Sequence, residues 1–428
     1  MIQGNGLRSA YSATLARIMA QKGSKSKLGM EVLMWLSHSE RPLNTDELCD
    51  ALGVEIGSTD LNSQNIPMIE TLLGCSLGLV IVEASSFTVR LVHYTLQEYL
   101  CNNSDLFHNP HSMIAEVCLT YLNFESIRDL PLVYGSNSSA GPLLQYASRY
   151  WGRHARREIT ESVSTLALRL LDGFDKHVSS GILLSCINDD RNYDYGRGWY
   201  QESDDEDYSS GFWESEHNTW KSTGFTGLHA TAYFDMVEIA VSLLEMGKWV
   251  LSQTDVWDST AILCAAREGH GAMVKLLLTR EDSTPNISDI LDRTPLWWAV
   301  LHGRKDIVRI LLERDDVTPD TKDRHGQTPL SLAVENGDKD IMKMLLGRED
   351  VTPNSLGEDS RTPLSRAAGN GKEGIVEILL GRDDVTPDIA DKDGRTPLSW
   401  AAENGHKGIV KILLGRPDVT PDAADKGG

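Results

Sequence analysis

Gly74-Cys75-Ser76-Leu77-Gly78 has the G-x-S-x-G spacing of an activated serine. A nucleophile elbow needs a strand leading into the serine and a helix leaving it, because the strained turn between them lifts the hydroxyl clear of the sheet. Here the order is reversed, with a helical pattern before Ser76 and a β-branched one after it. The match is expected to be a coincidence, and no catalytic residue is assigned. His108 and His111 are close in sequence but lack the further ligands of a zinc site. Asp391-Lys392-Asp393-Gly394 alternates carboxylates yet lacks the bidentate glutamate and the oxygen count of a calcium loop, so it reads as a tight turn. The expected protein has no metal, no cofactor and no enzymatic activity.

What remains is the chemistry of recognition. Thr95 and Glu98 have capping-box spacing, which places His93 just ahead of a helix N-terminus, where backbone N–H groups favour an anion. Arg149, Arg153 and Arg157 recur every four residues and line one helical face with His154 and Arg156 beside them. Their natural counterpart is the acidic tract at 202–207, inside a Gly-, Ser- and acid-rich stretch, and its docking onto the arginines is one expectation. The phosphate-cradling pattern G-x-x-x-x-G-K-[ST] is missing; Gly23-Ser24-Lys25-Ser26-Lys27-Leu28-Gly29 has a similar composition and the wrong spacing.

These groups must be positioned by something, and the dominant organiser is a repeat. Thr226-Gly227-Leu228, Thr260-Ala261-Ile262, Thr294-Pro295-Leu296, Thr328-Pro329-Leu330, Thr362-Pro363-Leu364 and Thr396-Pro397-Leu398 succeed one another every 34 residues. A fixed period of this size means stacked units that cannot bury a core alone. In the last copy Asp393-Gly394 makes a turn, Thr396-Pro397 caps and starts a helix, and Gly405 ends it. Ile409, Val410, Ile412, Leu413 and Leu414 then supply the apolar face of a second helix. The pattern resembles the ankyrin repeat over residues 222–428. It departs from that family in its serines (Ser331, Ser365, Ser399) where histidine is usual, kept only at His229, and in a return loop longer by about one residue.

The resemblance implies binding of a protein partner through hairpin tips and first-helix ends on the concave face. Carried over, the partner-binding residues are Phe225, Tyr233, Phe234, Trp257, Arg293, Arg324, His325, Arg361 and Arg395. The hot spot is expected around Phe225, Tyr233, Phe234 and Trp257, since aromatic and Arg anchors dominate interfaces. Trp297 and Trp298 read as inter-repeat core. The apolar outer side of the sixth copy implies self-association through that end, or an array that continued further.

Ahead of the repeats, residues 28–107 read as three helices and a hairpin, that is, a winged helix. Helices are expected at 28–36, after Thr45 as cap, and at 66–73, with strands at 79–82 and 87–92. Winged helices often bind DNA, but this one carries only Arg41 and Arg90 against eleven carboxylates, and its third helix has no basic residue. The whole chain of 428 residues has a net charge of −21. Neither nucleic acid nor an anionic membrane is an expected partner.

The stretch His93-Tyr94-Thr95-Leu96-Gln97-Glu98-Tyr99 resembles the H-x-T-x-Q-E-[FY] motif of NACHT-type (STAND) signalling NTPases, and flanking segments resemble fungal members that end in ankyrin repeats. In those proteins the histidine touches the nucleotide phosphate. With no P-loop in this chain, His93 is expected to be a vestigial cofactor contact. The chain would then be an interior portion of a longer ancestor that lost its NTPase.

The expected architecture is mainly α. A helical remnant at 1–27 precedes the winged helix at 28–107. A helical region follows at 108–187, then an acidic flexible linker at 188–221, and six repeats fill 222–428. Six scattered cysteines without a C-x-x-C pair, and no apolar stretch long enough to span a bilayer, fit a cytoplasmic protein. The expected function is a non-enzymatic protein-interaction scaffold. The alternative is the regulatory half of a NACHT-type NTPase working with a separate or lost motor.

Overall fold

The computed structural model describes residues 3–133, 141–195, 219–220 and 222–421. The chain divides into two compact units, Met1–Leu243 and Leu244–Gly428.

In the first unit, α1 (Gln3–Met19) and α2 (Ser24–His38) form a helical hairpin. α2 is the hub, because its stripe of Val32, Leu33, Met34 and Trp35 is buried against α1, α3 (Thr45–Gly53), α4 (Ile69–Cys75) and α5 (Tyr94–Cys101). Gly29 permits the close approach of α4: a Cβ there would lie 2.8 Å from the Cys75 carbonyl oxygen and 2.9 Å from Ile18. Strands β1 (Leu43–Asn44), β2 (Val80–Glu83) and β3 (Thr88–Leu91) make an antiparallel sheet in the order β1-β3-β2. Val80 and Val89 are buried while Ile81 and Arg90, opposite one another, face outward, the two-residue alternation of a half-covered sheet. This is the expected winged helix.

Three expectations are corrected. The boundary at residue 27 falls inside α2, and the preceding helix is packed in, with Tyr11, Leu15 and Ile18 buried. The cap of α3 is Asn44, not Thr45: Asn44 Oδ1 accepts the Glu47 N–H at 2.8 Å and Glu47 returns the bond to the Asn44 N–H at 3.0 Å. An amide oxygen one residue earlier does the capping, leaving Thr45 as the first helical residue. The third helix begins at Ile69, not residue 66.

A helical region follows, with α6 (Pro110–Leu122), α7 (Glu125–Arg128), α8 (Leu144–Arg157), α9 (Glu161–Leu171) and α10 (Val178–Tyr195). α6 packs along both α8 and α9. The expected linker at 188–221 begins as the end of α10 and closes with β5 (Thr219–Trp220), which pairs with β4 (Leu132–Val133). Its acidic tract at 202–207 lies outside the described residues.

The first copy of the repeat consists of α11 (Gly227–Phe234) and α12 (Val237–Glu245), and α11 is covered by α8 and α9. Gly227 occupies the position where four later copies have proline, and a Cβ there would sit 2.7 Å from the Leu171 carbonyl oxygen at the end of α9. Steric room, not helix chemistry, explains that departure. Gly152 of α8 does the same for Phe234, whose ring occupies the space a Cβ would fill.

Among its described residues the second unit holds five helix pairs at the repeat period. The first helices are α13 (Ala261–Glu268), α15 (Pro295–Leu301), α17 (Pro329–Asn336), α19 (Pro363–Gly369) and α21 (Pro397–Glu403). The second are α14 (Gly271–Leu278), α16 (Lys305–Leu312), α18 (Lys339–Leu346), α20 (Glu373–Leu380) and α22 (Lys407–Leu414). Each first helix is capped by its threonine, which accepts the N–H three residues on. The serines standing for histidine do part of its work: Ser331 Oγ accepts the Thr328 N–H at 2.9 Å, as His229 Nδ1 accepts that of Thr226 at 3.2 Å. Small Ala299, Ala333, Ala367 and Ala401 are fully buried where neighbouring first helices meet.

Return loops add a repeated clamp. Arg314, Arg348, Arg382 and Arg416 each reach back to a carbonyl of the preceding copy, namely Leu278, Leu312, Leu346 and Leu380. Each also makes a two-pronged pair with the aspartate two residues on, Asp316, Asp350, Asp384 and Asp418. A second stitch runs the other way. Asn286, Asp320, Asn354 and Asp388 accept the backbone N–H of Thr318, Thr352, Thr386 and Thr420 in the next copy.

Candidate functional site

Four of the five hairpins of the second unit are built on a buried aspartate. Asp255, Asp289, Asp323 and Asp391 accept backbone N–H groups two and four residues ahead through Oδ1. In the fifth copy that position is Gly357, and Asp359 takes over one bond, to the Arg361 N–H. Asp391 is thus spent on the turn and on the Trp400 Nε1–H at 2.9 Å, which leaves little for a cation. Burial acts to raise its pKa, but the Arg395 N–H, the Trp400 indole and the Asp393 N–H outweigh it and hold the carboxyl below its usual range. Among the described residues no group of three or more His, Cys, Asp or Glu is arranged to hold a metal.

Trp400 is the centre of the most developed feature on this face. It is half-buried, with the Arg361 guanidinium 3.3 Å and the Arg395 guanidinium 4.9 Å from its ring centroid. Arg361 also approaches Asp391 at 3.8 Å, and Arg395 pairs with exposed Glu403 at 3.0 Å. Beside it Arg366 bridges Glu335 and Asp359. Burial pushes the Glu335 carboxyl up despite Arg366, so the pair holds a costly charge in place. The sequence reading named Arg361 and Arg395 and missed Trp400. The signal was available: Trp400 stands three periods after Trp298, at the same helical position.

The other assigned residues fall into different environments. Phe225 and Phe234 are buried, at 0% and 3% exposure. Phe225 lies against Phe174 and His229, and Phe234 packs edge-on to Trp151 at 5.3 Å. They are core of the first unit, and the expectation that they form a surface hot spot is corrected. The aromatics of the first copy are used to seat it on α8 and α9. Tyr233 is half-buried and edge-on to Phe234, and Trp257 is half-buried in the second unit, its N–H held by Asp255. Arg293 is 6% exposed, over Trp297 at 4.3 Å and Trp298 at 5.5 Å, so it belongs to the inter-repeat core with those two buried indoles. Arg324 is exposed near Asp292 at 3.5 Å, and His325 is half-buried near Glu358 at 4.0 Å.

In the first unit His93 is itself the cap of α5, its Nδ1 accepting the Thr95 N–H at 3.2 Å. The expected Thr95–Glu98 capping box is replaced by this imidazole. His93 lines a groove of about 630 Å³ with Arg41, Arg90, Ile81, Val92 and Tyr94. Arg41 is already bound two-pronged to Glu47, and Arg90 approaches Glu83 at 3.5 Å, so the groove's cations are neutralised locally. Ser76 is fully buried, and its hydroxyl donates to the Leu72 carbonyl at 2.8 Å.

The arginine stripe is mostly engaged within the unit. Arg157 pairs with Glu40 at 2.6 Å, Arg156 with Asp235 at 2.7 Å, and Arg153 lies over Tyr150 at 5.6 Å. Buried His154 bonds Tyr146 at 2.9 Å and His111 at 2.8 Å, and His111 faces His38 at 5.4 Å between ring centroids. His38 and His111 border a cavity of about 800 Å³ with Cys101, His108, Arg157 and Glu158. Burial, reinforced by His111, Arg157 and His38, holds His154 down to about 3.

Comparison with known families agrees with both halves. The model of ankyrin repeats in three copies matches residues 281–355 and 349–425, and the single ankyrin repeat model matches 257–290. The winged helix domain of GPI inositol-deacylase matches residues 15–110. The C-terminal half therefore carries ankyrin repeats, and the N-terminus carries a winged helix domain of the GPI-inositol-deacylase type. Solved structures similar to the chain include the ankyrin repeat domain of Bcl-3, a member of the IkappaB family, at 20% identity and TM-score 0.44, over 47% of this chain and 89% of that one. An ankyrin repeat domain from Acinetobacter baumannii AYE is 29% identical at TM-score 0.41, over 44% of this chain and 96% of that one. No curated protein matches the chain in sequence. Among the described residues no helix is long and apolar enough to cross a membrane.

Proposed function

We propose that this chain is a non-enzymatic scaffold that binds a protein partner along the hairpin and first-helix face of its ankyrin array. The observation that carries the reading is the half-buried Trp400 between Arg361 and Arg395, an aromatic anchor already oriented by Asp391. Aromatic and Arg side chains that are held in place before binding lose little entropy on contact and dominate interface energetics. Arg324, His325 and exposed Asn370 and Asn404 would form its polar rim. The comparison that tests this is capture of binding proteins by the full chain, by Trp400→Ala and by Lys275→Ala, exposed on the second helix of the second copy. Loss with the first substitution alone supports the assignment, and equal capture by all three overturns it.

Self-association belongs to the same proposal. Leu414 is 51% exposed beside half-buried Ile412 and Val410, an apolar strip on the last helix. Sedimentation that is concentration-dependent for the native chain and not for Leu414→Glu would support it; a monomer at all concentrations would remove it. For His93, its use as a helix cap favours a structural role over a phosphate contact. ATP or ADP binding that disappears in His93→Ala would reverse that preference and favour the regulatory half of a NACHT-type NTPase.

A further inference from the structure

Thr-Pro occurs in two sets within the array, and the fold treats them oppositely. Thr294, Thr328, Thr362 and Thr396, which start first helices, are buried at 3% exposure or less, and their hydroxyls are occupied as caps. Of the five return-loop threonines, Thr318, Thr352, Thr386 and Thr420 are exposed, while Thr284 in the first loop is half-buried with its hydroxyl oxygen turned away from solvent. Those four lie on one edge of the unit at the repeat period, each held extended by the proline that follows. We propose that they are phosphoacceptor sites for a proline-directed protein kinase. The γ-phosphoryl group of ATP would pass to the Thr Oγ1 as the bond to the bridging oxygen breaks, ADP leaves, and the hydroxyl proton goes to the kinase base.

The four loops are not equivalent, and the difference assigns a consequence. The N–H of Thr318 and of Thr386 is held by a neutral amide, Asn286 at 2.9 Å and Asn354 at 3.0 Å. The N–H of Thr352 and of Thr420 is held by a carboxylate, Asp320 and Asp388, each at 2.6 Å. A phosphate on Oγ1 adds nearly two negative charges a few bonds from that N–H. Beside Asp320 or Asp388 it repels the group that stitches the loop to the preceding copy. At Thr318 and Thr386 the group that stitches the loop is a neutral amide, which the phosphate does not repel, and at Thr318 the Arg348 guanidinium lies 3.4 Å from the neighbouring Val317 carbonyl. Phosphorylation therefore releases the Asp-held loops and leaves the Asn-held ones closed.

The test is to treat the folded full chain with a proline-directed kinase and ATP, then map phosphate by mass spectrometry and amide exchange residue by residue. Phosphate is expected at Thr318, Thr352, Thr386 and Thr420 and not at Thr284, whose hydroxyl is buried, or at the four helix-starting threonines. Exchange at the Thr352 and Thr420 amides should then rise roughly ten- to a hundredfold, the loss of about one charge-assisted hydrogen bond, with Thr318 and Thr386 unchanged. Asp320→Asn should abolish the rise at Thr352. Absence of phosphate from the exposed set, or equal phosphate on the buried set, overturns the sites; a uniform response of all four loops overturns the charge rule.

Discussion

A guanidinium is planar and its N–H groups point in fixed directions, which is what the return loops exploit. Arg348 donates to the carbonyls of Leu312 and Arg314 at 2.9 and 2.8 Å while holding Asp350 with its other edge. Lysine carries the charge but not the fork. Arg348→Lys is expected to cost roughly 1–2 kcal/mol of array stability in urea denaturation, while Lys275→Ala, exposed and away from any clamp, stays within about 0.5 kcal/mol. A second residue-scale prediction concerns pH. Burial holds His154 down to about 3 and His177 down to about 4, against an ordinary value of 6.5. The unfolded chain therefore takes up protons below pH 6.5 that the folded chain refuses. Their contribution is fully present above pH 6.5 and is lost as pH falls toward 3 to 4, by about 2 kcal/mol each at pH 5. Thermal unfolding at pH 7 and pH 5 checks this, and a stability that rises on acidification would contradict it.

At the scale of elements, the repeat was legible because its signal is redundant. Thr-Pro-Leu, small alanines and a glycine stop recur in register, so one atypical copy cannot hide the period. The winged helix was legible from three helical patterns and one β-branched hairpin, although its caps lie one residue earlier at α3 and two earlier at α5 than the spacing implies. The first copy's aromatics were not legible. From sequence Phe225 and Phe234 look like interface anchors, because nothing local reveals that α8 and α9 cover them. The clue lay in the glycines, at Gly152 and Gly227, which mark where α11 touches those helices. Gly152→Ala should destabilise the chain by about 1–3 kcal/mol through overpacking against Phe234. Gly227→Pro, which restores the repeat pattern, should also destabilise it, since the Leu171 carbonyl leaves no room. A raised melting temperature for either variant would contradict the packing.

At the scale of the molecule, the array is a series of near-identical units tied to their neighbours, so the proposed binding face is held by many small stitches. That regularity displays Trp400, Arg361 and Arg395 without spending them on a core, whereas Arg293 and Trp298, in the third copy, are consumed by packing. The central claim is that partners meet the hairpin and first-helix face. It is tested most directly by placing a photo-crosslinking residue in the full chain at Asn404, at the end of a first helix, or at Lys411, on the second helix of the same copy. Both positions are exposed. The account predicts adducts with other proteins from position 404 and none from position 411, whose adducts would be only with a second copy of the chain; adducts with other proteins from 411 alone, or from neither position, would contradict it.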